Sequence, residues 1–260
     1  MIIMVIHGSM RKGNTYELTK EIVTRLLAKP GVECTEISVA DLELPFCISC
    51  HACLNKGEEF CPHYEIVRSV STALLECDGV IVSGATYVRA LNGAMKNLID
   101  HLAYYYHRPV LFGKKGMVIA TSSGVGEKSV AKYLRTTLGQ WGINDAMVVT
   151  LNEKEKRLKT KGDTWLSRNT EEYYRLIASK KPLSPSLKSI ATHNSFRAMS
   201  LSEFCESERD ALFWQQTGYS DKAYPVSAGP YKYAVGAIIN KLVKISAKMV
   251  GRVYAKRKDR

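Results

Sequence analysis

What most restricts this chain is an alternation. Short uninterrupted apolar runs are each followed by a loop and then by a stretch with helical periodicity. Ile2-Ile3-Met4-Val5-Ile6 contains no polar residue and stops at His7-Gly8-Ser9. A run that is apolar at every position suits a central parallel strand covered on both faces. From about Asn14 to Ala28, Leu18, Ile22 and Leu26 recur at helical spacing, and Pro30-Gly31 ends the pattern. Val32 to Val39 alternates like a strand nearer an edge. Helices are then expected at about Tyr64–Leu75, Asn92–Tyr106 and Lys128–Trp141, between strands at Gly79–Ser83, Gly116–Ala120 and Ala146–Leu151. Five strands separated by helices predict an α/β fold, a doubly wound five-stranded parallel sheet, although periodicity does not give the strand order.

Beyond residue 151 the pattern weakens. Residues 152–170 are polar, and Pro182, Pro185 and the serines at 184, 186 and 189 read as a linker-like break. Helices are expected at about 170–179, 200–214 and Tyr231–Lys256. The expected organisation is therefore one domain at 1–151, with a cysteine loop at 45–63, and a mostly helical extension at 152–260. Charge divides at the same place. Of the 37 Lys+Arg and 25 Asp+Glu, residues 1–150 carry 15 and 14 while residues 151–260 carry 22 and 11. A near-neutral domain is a poor surface for nucleic acid, so no nucleic-acid partner is expected. From 230 to 260 there are nine Lys+Arg and one Asp. Lys241, Lys244, Lys248 and Arg252 share one helical face, beside an arc of Ile238, Leu242, Ile245, Met249 and Val253. Such a helix, 231–260, suits a weak peripheral contact with an anionic membrane, or docking on the domain or a second subunit. Both readings are open at this point.

No run of about 18 apolar residues suggests a spanning helix, and the apolar start reads as a strand rather than a leader. With seven cysteines and no export signal, a reduced cytoplasmic setting is expected.

Three loops leave predicted strand ends, where open α/β sheets bind ligands. The first, Gly8 to Thr15, puts Ser9, Arg11, Lys12, Gly13, Asn14 and Thr15 at a helix N-terminus, where backbone N–H groups and the helix dipole could hold a phosphate. It also reads as a plain turn with an Asn or Thr cap. The second runs through Ala85, Thr86, Tyr87, Val88 and Arg89 towards Asn92 and Gly93. The third is Thr121-Ser122-Ser123-Gly124-Val125-Gly126.

The order G-S-x-R-x-G-N-T, T-Y-V-x-x-x-N-G-x-M-K-x-x-I-D and T-S-S-G resembles the flavodoxin-like NAD(P)H-dependent FMN reductase superfamily over residues 1 to about 150. The resemblance implies a flavodoxin-like fold, with the FMN phosphate on Ser9, Arg11, Lys12, Gly13, Asn14 and Thr15. It places the ring between the loop of Ala85, Thr86, Tyr87, Val88 and Arg89 and the loop of Thr121, Ser122, Ser123, Gly124 and Gly126. It implies NAD(P)H as co-substrate, an acceptor that is a quinone, a flavin or a redox protein, and a homodimer or homotetramer. No catalytic side chain is expected, because hydride transfer to a flavin needs no general base. Ala85 stands where the superfamily usually has proline, which is expected to loosen the second loop.

Cys47-x2-Cys50-x2-Cys53-x7-Cys61-Pro62 is the sharpest motif. Two-residue gaps let thiolates converge on one centre, either a [4Fe–4S] cluster or tetrahedral zinc. Zinc more often takes two separated C-x-x-C pairs, so iron–sulfur is favoured, with free or oxidised thiols as the alternative. Within the superfamily such a loop resembles that of the iron–sulfur flavoproteins. His51 and His63 read as loop residues, Cys34, Cys77 and Cys205 as packing residues, and His7, His101 and His107 carry no motif. The resulting expectation is an FMN-dependent oxidoreductase, with a cluster-free FMN or quinone reductase and a flavodoxin-type carrier as alternatives. Carriers are usually small and acidic, which this chain is not.

Overall fold

A computed structural model describes residues 1–153, 162–203, 205–217 and 224–258, the side chains of 162 and 247–258 excepted. The apolar runs become five parallel strands: β1 (Ile2–Gly8), β2 (Glu33–Ser38), β3 (Gly79–Tyr87), β5 (Lys115–Ser122) and β6 (Met147–Asn152). Their order is β2-β1-β3-β5-β6, and a short β4 (Ala90–Leu91) pairs antiparallel with β3. Ile3 lies opposite Gly79, Gly79 opposite Lys115, and Met117 opposite Met147. The winding reverses between β1 and β3, so the carboxyl ends of those strands open the crevice where such folds bind ligands.

Side chains alternate across the sheet, as the two-residue period of a strand requires. Met4, Ile6, Val80, Val82 and Val118 face α3 (Tyr64–Glu76), α4 (Gly93–His101), α5 (Tyr104–His107) and α6 (Glu127–Trp141). Ile3, Val5, Ile81, Met117 and Ile119 face α1 (Asn14–Leu27) and α7 (Gly162–Ala178). Each such buried aliphatic side chain contributes about 1.5–3 kcal/mol relative to exposure. The second helix of this face thus comes from beyond the last strand. Tyr173 on α7 is fully buried, and its hydroxyl donates to Lys115 O at 3.0 Å. Gly79 permits this approach, since a Cβ there would lie 2.7 Å from Ile177 Cδ1.

Three helices differ from the sequence expectation. The helix expected at 92–106 is broken into α4 and α5, because Ala103 N–H bonds to Asp100 O in a tighter turn. The one expected at 170–179 begins at Gly162. In place of 200–214 there are two helices, α8 (Leu187–Ser200) and α9 (Glu208–Gln216). The linker-like serines supply the start of α8, where Ser186 Oγ accepts from Ser189 N–H. Residues 154–161 of the polar stretch lie outside the described residues.

The last helix, α10 (Pro230–Lys258), lies against α8. Of its expected apolar arc, Ile238, Leu242 and Ile245 are not covered by the other described residues and are exposed. The side chains of Lys248, Met249, Arg252 and Val253 fall outside the described residues. No helix among the described residues is long and apolar enough to cross a membrane.

Candidate functional site

The first loop turns tightly after β1, with Gly13 N–H on Arg11 O at 2.9 Å and Ser9 Oγ donating to Arg11 O at 2.8 Å. Gly13 caps α1 without a side-chain hydrogen bond. The first-turn N–H groups of a 14-residue helix therefore face the loop, where the helix dipole favours an anion. Ser9 and Thr15 are buried, while Arg11, Lys12 and Asn14 are exposed. Arg11 makes no ion pair among the described residues.

The second loop is a hairpin rather than an open loop. Ala85, expected to loosen this loop in place of a proline, lies inside β3, buried and paired in register with Thr121, so the ladder fixes the position where the loop begins. Thr86 pairs with Leu91 and Tyr87 with Ala90 across a two-residue turn. Val88 and Arg89 carry that turn at φ +47° and +65°. The backbone twist of such hairpins needs positive φ, which usually selects Asn-Gly. A left-handed conformation costs an L-residue about 1–2 kcal/mol, most awkwardly a β-branched one such as Val88.

The third loop, 123–126, joins β5 to α6. Thr121 Oγ1 lies 2.7 Å from Thr15 Oγ1, tying it to the first loop. Gly126 sits at φ +109°, and a Cβ there would be 2.8 Å from Thr86 Cγ2 and 2.9 Å from Arg89 Cα. Ser122 Oγ donates to Glu127 Oε2 at 2.5 Å, while Ser123 and Gly124 are exposed. Asn92 was not among the candidates, yet it connects the sites: its amide donates to Gly8 O and its carbonyl oxygen accepts from Met95 N–H at 3.1 Å, capping α4. One atom in this enclosure is unspent. Thr86 Oγ1 is buried and has no hydrogen-bond partner among the described residues. An uncapped helix N-terminus with a free Arg11, beside a buried hydroxyl lacking a partner, fits a ligand with a phosphate at one end and polar ring atoms at the other.

The cysteine loop hangs on α4. Asn97 Oδ1 accepts from Cys47 N–H at 2.9 Å, and Asn97 Nδ2 donates to Leu44 O and Pro45 O, each at 3.0 Å. Ser49 and His51, between the first three cysteines, take positive φ, and His51 leads into the short helix α2 (Ala52–Asn55), which carries Cys53. Cys47, Cys50, Cys53 and Cys61 line one cavity of about 320 Å³ together with His101. None of the four is joined in a disulfide among the described residues. Burial, reinforced by the neighbouring Cys61, pushes the Cys53 thiol up to about 11. Burial also raises Cys61, with Cys50 and Cys47 adding to the shift and the His63 N–H opposing it. Four cysteines around one cavity, with the ionisation of Cys53 and Cys61 disfavoured by burial and by their cysteine neighbours, form an arrangement that a multivalent iron or zinc centre would neutralise.

Arg108 fixes the far side of this loop. Its guanidinium donates to Cys53 O at 2.7 Å and Leu54 O at 3.1 Å and pairs with Glu58 at 3.1 Å and with Asp210 on α9. Ser207 Oγ adds a bond to Leu54 O at 2.6 Å. His63 Nδ1 and His101 Nε2 approach to 3.0 Å. Neither Arg108, Asp210 nor His101 was found from the sequence, because no local spacing links residues this far apart in the chain.

Against known proteins, residues 1–153 match the sequence profile described as NADPH-dependent FMN reductase. An iron–sulfur flavoprotein of Archaeoglobus fulgidus is 32% identical over 139 residues, covering 53% of this chain and 62% of that protein. An NADPH azoreductase of a Bacillus species is 32% identical over 133 residues, covering 47% of this chain and 66% of that protein. The chain thus spans less than two thirds of these curated relatives. Among solved structures, the apo form of an NADH:FMN oxidoreductase (EMOB) superposes with a TM-score of 0.52 at 21% identity, over 67% of this chain and 88% of that one. An azoreductase from Bacillus anthracis gives 0.53 at 15% identity, over 69% and 99%. At these identities the structural matches establish the fold.

Proposed function

The chain belongs to the NADPH-dependent FMN reductase family, and on that premise we propose that it is an FMN-dependent oxidoreductase whose cysteine loop carries a [4Fe–4S] cluster. The observation that carries the flavin reading is the enclosure made by three loops, closed by the Thr15–Thr121 hydrogen bond and the Gly126 contact with Thr86 and Arg89. Ser9, Gly13, Asn14, Thr15 and the N–H groups of α1 would hold the phosphate, with Arg11 and Lys12 supplying positive charge. Ala85, Thr86, Tyr87, Val88 and Arg89 would border the ring on one side. Thr121, Ser122, Ser123, Gly124 and Gly126 would border it on the other, and Thr86 Oγ1 would find the partner it lacks within the protein.

When bound, FMN would take a hydride from NAD(P)H and deliver electrons to a quinone, flavin or redox-protein acceptor, and a cluster would handle them one at a time. The protein's own part is placement. The Val88–Arg89 turn shapes the second loop, Asn92 locks α4 to the end of β1, and Asn97 with Arg108 holds the backbone of the cysteine loop. The cluster reading is supported by the four cysteines lining one cavity and by the likeness to an iron–sulfur flavoprotein. Exposed Phe46, Ile48 and Phe60 beside that cavity, and the uncovered arc of α10, are apolar surface that self-association into a dimer or tetramer would bury.

The test is an absorption spectrum with iron and zinc analysis on anaerobically purified protein. Flavin bands with a broad shoulder near ~400 nm and about four irons per chain would bear out both parts. Flavin bands without iron would leave a plain FMN reductase, and failure to bind added FMN would overturn the reading.

A further inference from the structure

The cysteine cavity is bordered by two histidines that a four-thiolate centre does not use. Sγ of Cys61 and one ring nitrogen each of His63 and His101 all lie within 4.8 Å of one another. The two nitrogens, His63 Nδ1 and His101 Nε2, are 3.0 Å apart. Zinc–nitrogen bonds near 2.0–2.1 Å in a tetrahedron place two nitrogens roughly 3.3–3.4 Å apart, so a small outward movement would admit the ion.

The orientation of His101 is set independently. Its Nδ1 lies 2.9 Å from Asn97 O, and a carbonyl only accepts, so Nδ1 carries the proton and Nε2 presents its lone pair to His63. A ring whose second nitrogen donates to a backbone carbonyl is how metal-bound histidines are held. Asn97 is the residue whose side chain also grips Leu44, Pro45 and Cys47, so the ring and the loop share one mount. His101 is 2% exposed and is reached from the same cavity as Cys61.

We propose that Cys61, His63 and His101 bind a single divalent cation of the zinc class, with solvent in the fourth position. One thiolate and two imidazoles suit zinc, cobalt or ferrous iron and disfavour calcium and magnesium, which prefer oxygen. The site stands on these three residues and does not require the cluster. Cys61 cannot serve both centres at once, so this cation site is one that the chain offers while no cluster occupies the loop.

The experiment uses the full chain with its flavin complement as purified, reduced, stripped of metal by a chelator under anaerobic conditions, and titrated with Co²⁺. The expected result is one equivalent bound, with a thiolate-to-cobalt charge-transfer band and intense tetrahedral d–d bands. His101→Ala is expected to weaken binding about 10-fold or more, and Cys47→Ser and Cys50→Ser to leave it unchanged. If His101→Ala does not fold, His63→Ala at its half-buried position makes the same test. Absence of cobalt binding, a spectrum of several thiolates, loss of binding in Cys47→Ser, or full binding in the histidine variant would each overturn the proposal. A cluster-free protein that binds cobalt as described would overturn the cluster reading and leave this one standing.

Discussion

Asp210 on α9 grips the guanidinium of Arg108, with both side chains about 4% exposed. Through Arg108 the contact reaches Cys53 O and Leu54 O, so a helix that follows the sheet by more than 50 residues helps to hold the cysteine loop. Asp210→Ala leaves a buried guanidinium without its main counter-charge, which typically costs 3–5 kcal/mol, and exposes the loop. The expected result is a lower thermal midpoint together with faster proteolytic cleavage within 45–63. An unchanged cleavage rate would show that the loop stands without this clasp.

Gly126→Ala tests the meeting of the second and third loops. Alanine at φ +109° costs about 1–2 kcal/mol, and its Cβ would press on Thr86 and Arg89. FMN affinity, read by quenching of flavin fluorescence, is expected to fall about tenfold or more, with only a modest loss of stability. Full retention of affinity would place the flavin elsewhere.

His193 predicts an acid limb in the stability curve. Its ring is buried against Phe112, Trp214 and Tyr224, and burial, with Arg197 adding to it, lowers its pKa to about 3. Neither ring nitrogen has a hydrogen-bond partner among the described residues. An unfolded chain protonates this ring at about 6.5, so between about 6.5 and about 3 the unfolded state binds more protons. Stability contributed by the neutral ring is therefore complete above that window and is lost as pH falls through it. His193→Phe is expected to flatten this limb in urea unfolding measured at pH 7, 6, 5 and 4.

Alkylation should distinguish the four cysteines in the metal-free, reduced protein. Cys47 and Cys50 are exposed, whereas Cys53 is half-buried with its thiol pushed up to about 11. Mass mapping of iodoacetamide adducts at pH 8 is expected to show Cys47 and Cys50 labelled well before Cys53. Equal rates would mean that the loop opens freely.

These residues also show what the sequence can and cannot disclose. The parallel strands are legible because burial on both faces forces every position to be apolar, as in Ile3 to Ile6. The hairpin through Val88 and Arg89 is not, since positive φ is borne there by residues that do not advertise it. The α8 helix was obscured because its buried side includes His193, Asn194 and Ser200 rather than an apolar stripe, and because Ser186, its cap, looks like linker. The three ligand loops could be picked out as loops at strand ends, but the tie that Asn92 makes to Gly8 could not, since it joins residues 84 apart. The Cys-x2-Cys spacing announces itself. His101 enters only through folding, because α4 carries it to a loop 38 residues earlier in the chain.

The bond from Ser207 to Leu54 closes a span of 153 residues. At synthesis rates of about 5–20 residues per second, the cysteine loop is made roughly 8–30 s before the residues that secure it. A group held in that loop would gain the Ser207 and Asp210 contacts only once translation has passed α9. Completion of such a centre would then follow translation rather than accompany it.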